Sequence, residues 1–276
     1  MKKHLKILDV SSSAYYGWLK GKSHQQSLVN QDKEKKILEV FKEHKRRYGT
    51  RRIVKALSKE GVKVGRYKVS KLLRENGYKA IQPRSFIPKT TNSRHRYPIS
   101  PNLLLERSPP VSPDEVWVGD ITYIPLAGGE WAYLAVWMDL FSRMIVGWKI
   151  KEHMKEDLVI DAFKMAGQTR RPEKGLIVHS DRGGQYGGNG FRKLLFDKYH
   201  QSMSRADNPY DNAFMESCFS RFKSELLEGG VFENVEDART EIFEYIEMYY
   251  NRIRIHSSLG YKSPTEFELD YYKRNN

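Results

Sequence analysis

The sequence predicts an α/β core built on a mixed sheet with helices on both faces, preceded by a basic all-α region that contains a helix-turn-helix. Three observations predict it. Residues 1–110 hold 27 Lys and Arg against 8 Asp and Glu, whereas residues 111–276 hold 21 against 26, so the basic excess lies wholly in the first part. Seven of the eleven prolines fall between 83 and 113. Beyond Val116 the apolar spacing leaves the helical period, passes through strand-like runs and then alternates between the two. The expected division is 1–82 helical, 83–113 a proline-rich linker, and 114–276 the core with C-terminal helices.

In chain order, "LDVSSSAYYGWLKG" reads as a short helix with serine start signals and Gly21 as its stop. In "DKEKKILEVFKEHKRRYG", Ile37, Val40, Phe41, His44 and Tyr48 recur at helical spacing. Two further helices follow, one with Ile53, Ala56 and Leu57, the other with Val69, Leu72 and Leu73 and a stop at Asn76-Gly77. The turn "EGVKVG" between them completes the helix-turn-helix. The second helix carries Arg66, Lys68, Lys71 and Arg74, and Arg47, Arg51 and Arg52 lie just upstream, a basic set suited to phosphate. Proline lacks a backbone donor and favours extended chain, hence the linker, with "NLLLER" as one docking turn inside it.

In the core, "VWVGDITYIPL", "WAYLAVWMDL" and "SRMIVGWKI" read as three strands, the first pair joined by a "GG" hairpin turn. "EDLVIDAFKMAG" reads as a helix, "GLIVHS" as a short buried strand, "GFRKLLFDKY" as a helix and "HQSMS" as a weak strand. A long helix, "YDNAFMESCFSRFKSELLEG", and another, "VEDARTEIFEYIEMYYN", close the pattern. That makes five strands in one mixed sheet.

Composition narrows the classes. The longest uninterrupted apolar run, Trp131 to Met138, is too short to span a bilayer, and the basic start offers no apolar signal segment. A lone Cys218 forms no internal disulfide and suits a reducing, cytoplasmic compartment. The basic half is expected to meet a polyanion rather than a membrane.

Three carboxylates stand out. Asp120 lies inside a strand between Gly119 and Ile121, where a charge is costly unless paired or metal-bound. Asp181 follows a buried strand at its C-terminal end, where α/β sheets place their sites. Glu216 sits on the long helix among Phe214, Met215 and Phe219. Hard oxygen donors without Cys or a zinc-spaced His pair favour Mg²⁺ or Mn²⁺, and two such ions suit phosphodiester displacement. "DRGGQYGGNG" lacks the Lys-Ser/Thr that ends a phosphate-binding loop. Its glycines are therefore expected to turn the chain sharply after Asp181 and leave room for a DNA strand.

"VWVGDITYI", "VHSDRGGQY" and "SRADNPYDNAFMESCFSRFKSEL" resemble the catalytic core of bacterial insertion-sequence transposases of the insertion-sequence three type, second-frame product. "VSSSAYYGWLKG", "RRYGTRRIVKAL" and "YYNRIRIHSSLGYKSPTEF" extend the resemblance over nearly the whole chain. It implies a ribonuclease H-like fold similar to retroviral integrases, with Asp120, Asp181 and Glu216 as catalytic, metal-binding acids. It implies a basic residue seven positions after the glutamate, and Lys223 stands there, on the face Glu216 shares. It also implies handling of two double-stranded DNA ends, hence an assembly of at least two subunits, a nucleoid-associated location, and an upstream-frame partner protein. Ala206-Asp207 depart from the family pattern beside the site.

The remaining polar residues have plainer readings. Asp139 is expected to be a strand-end turn acid rather than a fourth ligand. His179 shares a strand face with Asp181 and is a candidate supporting residue. His256 either meets DNA or caps the last helix, and Cys218 packs. The expected activity is metal-dependent strand cleavage and strand transfer at element ends. A DNA-binding regulator with an inactive core and a structure-selective nuclease of the same fold are the rivals.

Overall fold

The computed structural model describes residues 10–20, 28–82, 97–205, 213–227 and 230–275. It forms two compact units, residues 1–81 and 82–276. Gly21 and the pair Ala206-Asp207 lie outside the described residues.

The first unit is helical: α1 (Ser12–Leu19), α2 (Leu28–Glu43), α3 (Thr50–Lys59) and α4 (Arg66–Glu75). Ser11 caps α1 by accepting the Ala14 N–H at 3.1 Å. The predicted apolar set is the core: Ile37, Val40, Phe41, Tyr48, Ile53, Leu57, Val69, Leu72 and Leu73 are all buried. Helix α2 stops earlier than its pattern suggests. Lys45 and Arg46 adopt left-handed backbone, φ 46° and 61°, and the Arg46 N–H turns back to the Phe41 carbonyl at 3.1 Å. Tyr48 therefore reaches the core from a loop, its ring stacked on His44 at 3.6 Å.

The second unit is built on five strands, β1 (Val116–Pro125), β2 (Trp131–Asp139), β3 (Ile145–Lys151), β4 (Ile177–Ser180) and β5 (His200–Met203), in the order β3-β2-β1-β4-β5. The three long strands form an antiparallel meander, and β4 and β5 run parallel to β1. Gly128 and Gly129, at φ 75° and 84°, make the first hairpin turn that only glycine forms without strain. This is the ribonuclease H-like mixed sheet.

Helices cover both faces. On one, α5 (Glu156–Arg170) and α6 (Asn189–Leu195) bury Leu158, Val159, Phe163, Phe191 and Leu195 against Trp117, Ile121 and Trp137. Gly147 permits this packing: a Cβ there would stand 2.3 Å from the Ala162 carbonyl. On the other face, α7 (Ala213–Leu226) and α8 (Val235–Phe243) bury Met215, Phe219, Phe222 and Ile242 against Val116, Val118 and Ile124. The last predicted helix is not uniform. After Phe243, itself exposed, it widens into a π-turn over Glu244–Tyr250, in which Tyr245, Ile246 and Tyr250 are buried.

Two features were not expected. Helix α9 (Pro264–Asn275) begins with a reciprocal capping box: Ser263 N–H donates to Glu266 Oε2 at 2.9 Å and Glu266 N–H to Ser263 Oγ at 3.2 Å. Residues 97–113, expected as linker, belong to the core unit. Leu103 N–H donates to Ser202 Oγ, Ser100 Oγ to Gln201 Oε1, and Pro101 O accepts from Met203 N–H, so the segment runs along the edge strand β5.

Candidate active site

Asp120 lies in the middle of β1, opposite Val136 of β2. Its side chain falls on the alternate positions shared with Val116, Val118 and Ile124, the face that α7 covers. Gly119, its neighbour, is obligatory for packing, because a Cβ there would enter the Trp137 ring at 2.5 Å. Strand β4 pairs with β1 over Val116–Val118 and ends at Ser180, which delivers Asp181 beside the middle of β1. Glu216 stands in the first turn of α7 and Lys223 in its last.

The electrostatics show which of these groups meet. Burial, then the charge of Asp181 and, more weakly, that of Glu216 push the Asp120 carboxyl well above the usual carboxylate range. The Ile121 N–H, donating to Asp120 Oδ1 at 2.8 Å, and the Lys223 ammonium oppose them. Burial lowers Lys223, and the Asp120 charge partly restores it. Three acids and one base from three separate elements thus act on a common region. Asp181 bears on Asp120 more strongly than Glu216 does, Glu216 is exposed, and no group of three His, Cys, Asp or Glu side chains among the described residues is close enough to hold one ion.

The glycine-rich turn works differently from the expectation. None of its described glycines has positive φ, so it does not need left-handed backbone. Gly183 N–H donates to Asp181 Oδ1 at 2.9 Å, and a Cβ on Gly183 would stand 3.0 Å from that oxygen. Gly188 and Gly190 leave room for the Glu156 carboxylate, not for DNA: their Cβ atoms would lie 2.3 and 3.0 Å from Glu156 Oε1. That oxygen accepts the Phe191 N–H at 2.7 Å, in the first turn of α6.

His179 is wholly buried in β4, its Nδ1 2.8 Å from Ser202 Oγ and its Nε2 3.2 Å from Ser204 Oγ. Ser202 Oγ accepts the Leu103 N–H, and Arg182 Nε donates to the Ser204 carbonyl at 2.7 Å. His179 therefore fastens the ends of β4 and β5 together beside Asp181. Asp139 is a turn acid: fully buried, it accepts from Ser142 N–H and Oγ and from Asp114 N–H at 2.7–2.9 Å. His256 packs edge-on to Tyr250 at 4.9 Å and lies 3.1 Å from Arg254 Nη1. Cys218 is buried, with Sγ 3.8 Å from the Tyr250 hydroxyl.

In the first unit, Arg66, Lys71 and Arg74 are exposed along α4, as is Arg51 on α3. Lys68 is turned inward to Glu34 at 3.3 Å and Asn30 Oδ1 at 3.1 Å, joining α4 to α2. Arg52 lies over the Tyr48 ring and donates to the half-buried Arg47's carbonyl at 3.2 Å. Tyr67, 78 % exposed between Arg66 and Lys68, is an aromatic that counting charges along the helix does not find. No helix among the described residues is long and apolar enough to cross a membrane.

Comparison with known proteins is consistent with these units. An HTH-like domain family matches residues 28–86, and two integrase core domain families match 110–209 and 198–264. The chain is 44% identical over 234 residues to the transposase for insertion sequence element IS904 of Lactococcus lactis, covering 84% of this chain and 92% of that one. It is 37% identical over 268 residues to transposase InsF for insertion sequence IS3A of Escherichia coli, covering 95% and 92%. A solved HTLV-2 integrase catalytic core domain in complex with magnesium is a looser likeness, 16% identical with a TM-score of 0.44, covering 57% of this chain and 98% of that one. By the extent of its identity to these relatives, the chain belongs to the insertion-sequence transposases of the insertion-sequence three type.

Proposed function

We propose that this transposase cleaves DNA strands at the ends of its element and joins the freed 3′-hydroxyls to target DNA, with Asp120, Asp181 and Glu216 as its catalytic acids. The observation that carries the proposal is the meeting of these three charges and Lys223, from β1, the end of β4 and α7, on one region. A cluster of like charges that raises its own member's proton affinity is an anion cage, suited to a cation. All its donors are hard oxygens, which fit Mg²⁺ or Mn²⁺.

Asp120 and Asp181 would hold such an ion, and Glu216 would complete its ligands from α7. Bound there, one or two divalent ions would stabilise the attacking and leaving oxygens of an in-line phosphodiester displacement. Lys223, two turns along α7 from Glu216 on the same face, would grip a phosphate of the DNA end. Gly183 N–H fixes the Asp181 carboxylate, and His179 fixes the strand ends on either side of it. The exposed cations of α4 would bind double-stranded DNA, with Arg66, Lys71 and Arg74 toward the duplex. Because two ends must be joined, the working species would be a homo-oligomer of at least two subunits.

The test is cleavage and joining of a labelled element end in Mg²⁺ by the wild type and Glu216→Gln. The wild type should cut and join. The variant should do neither while keeping its circular dichroism spectrum and its affinity for the end. A wild type that cuts without joining points to a nuclease, and a silent one to a DNA-binding regulator.

A further inference from the structure

Helix α4 buries Val69, Leu72 and Leu73 on the side that meets α2 and α3. At about 100° per residue, Tyr67, Lys71 and Arg74 fall within about 60° of one another, about 180° from the centre of that buried stripe. All three are exposed. Tyr67 leads this outward stripe from the first turn, with Lys71 and Arg74 about 6 and 10 Å behind it along the axis. Arg66 and Lys68 lie to its sides, and Lys68 is held by Glu34.

The fold makes no use of the Tyr67 ring. It is more exposed than any other large apolar or aromatic side chain among the described residues, and it makes no hydrogen bond or ring contact with them. Tyrosine is a poorer helix former than Lys, Arg or Glu, so local structure does not select it either. Gly65, the residue that caps α4, has ordinary extended backbone at φ −87°, and a Cβ there would meet nothing within 4 Å. The protein's own packing thus requires neither the glycine nor the ring, and together they leave the first turn of α4 open to an outside partner. Charge selects that partner. Behind the ring stand two exposed cations, and the pairing of Lys71 with Glu75, 3.7 Å apart and both more than half exposed, is one that a phosphate displaces at little cost.

We infer that Tyr67 is a specificity-determining residue: its ring enters the major groove of the element's terminal DNA and reads a thymine through the 5-methyl group, while Lys71 and Arg74 hold the bordering phosphates. A major groove is about 12 Å wide, so cations about 6 and 10 Å behind the ring reach its rim. Phosphate contacts position a helix without reading sequence, and the ring supplies the reading. The inference rests on the DNA-binding reading of α4 and names the residue that discriminates and the base it meets.

The test titrates full-length protein onto the labelled element end and onto a duplex of equal length and composition in shuffled order. Tyr67→Ala should weaken binding to the element end roughly tenfold or more and change the shuffled duplex by less than about twofold. Its circular dichroism spectrum, and the fall of its log affinity with log salt, should match the wild type. Lys71→Ala should weaken both duplexes by a similar factor and reduce that salt slope by about 0.9. Replacing the thymines of the element end one at a time with deoxyuridine removes single methyl groups. One position should cost the wild type several-fold in affinity and cost Tyr67→Ala nothing. A scan without such a position overturns the thymine contact. Equal losses by Tyr67→Ala on both duplexes would make the ring a phosphate contact and overturn the inference, as would wild-type binding of the element end. If Lys71→Ala still weakens both duplexes in those cases, α4 remains the DNA-binding helix. If both variants bind both duplexes as the wild type does, DNA binding by α4 fails and the inference fails with it.

Discussion

At the scale of single residues, glycine and carboxylate are matched pairs in this core. Gly188 and Gly190 are small because Glu156 needs their space to reach the Phe191 N–H. Gly188→Ala should therefore dislodge that cap and cost about 1–3 kcal/mol, from strain plus a lost charged hydrogen bond. Urea denaturation checks it, and a variant as stable as the wild type would show that Glu156 moves aside freely. Lys223→Ala should leave the three acids in place and weaken engagement of the DNA end by roughly 1–3 kcal/mol. A filter-binding titration of the labelled end measures this, and an unchanged affinity would make Lys223 a bystander. Asp120 and Asp181 stood out as candidates because a carboxylate inside or directly after an apolar strand is costly without a purpose. Glu156 did not. Nothing in "KEDLV" announces a partner 35 residues away. For Lys68 and Arg52 the charge is visible in the sequence, but not the Glu34 carboxylate and Tyr48 ring they meet.

At the scale of elements, the C-terminal turn of α7 is bolted down by a buried ion pair. Arg254 Nη2 and Nε donate to the two Glu225 carboxylate oxygens at 2.7 and 2.8 Å, and the Tyr245 hydroxyl donates to the same carboxylate at 2.9 Å. Arg254→Met should cost about 3–5 kcal/mol, because it leaves a buried carboxylate without its guanidinium. The companion Arg254→Met/Glu225→Met pair should recover much of that loss in the same denaturation experiment. The β2–β3 turn adds a pH-dependent element. Burial raises Asp139 to about 6 despite its three donors. A folded-state value above the unfolded one near 4 means that the native protein binds the proton more tightly there. Asp139's contribution is thus fully present below about pH 4 and is lost as pH rises through about 6, a slope of up to ~1.4 kcal/mol per pH unit. Stability curves from pH 4 to 7 for wild type and Asp139→Asn should differ by that slope, and parallel curves would refute it. Element order was readable because α2 to α4 each have one buried face and the strands, covered on both faces, are short apolar runs bounded by turn residues. The π-turn was not, since a widened turn keeps a helical pattern while shifting its phase. Helix α9 does have a local signal: "SPTE" is a capping box with proline at the first helical position.

At the scale of the whole molecule, charge and chemistry are divided between the two units. The helical unit carries the basic excess, so its fragment 1–82 should bind DNA with a log affinity that falls by about 0.9 per contacted phosphate per log unit of salt. Affinity independent of salt would remove it as the DNA-binding part. The core's boundary is subtler, because the proline-rich composition of 83–113 conceals a docked segment. Seven prolines suggest chain without ladder bonds, yet Ser100, Pro101 and Leu103 spend their polar groups on β5, and Leu104 packs against the core. The docked residues also reach the site. Gln201 receives Ser100 and holds the Tyr186 carbonyl, and Ser202 receives Leu103 and meets His179 beside Asp181. A fragment beginning at Pro113 would lose all of this. Three hydrogen bonds at about 0.5–1.5 kcal/mol each, with partial burial of one leucine, amount to roughly 3–5 kcal/mol. For a core of this size each kcal/mol is worth about 2–4 °C. A fragment of residues 97–276 should therefore unfold on the order of 10 °C above one of residues 113–276, and should bind Mn²⁺ more tightly. Equal midpoints and equal Mn²⁺ affinities would mean that the segment lies on β5 without supporting it, and that the core begins where its first strand does.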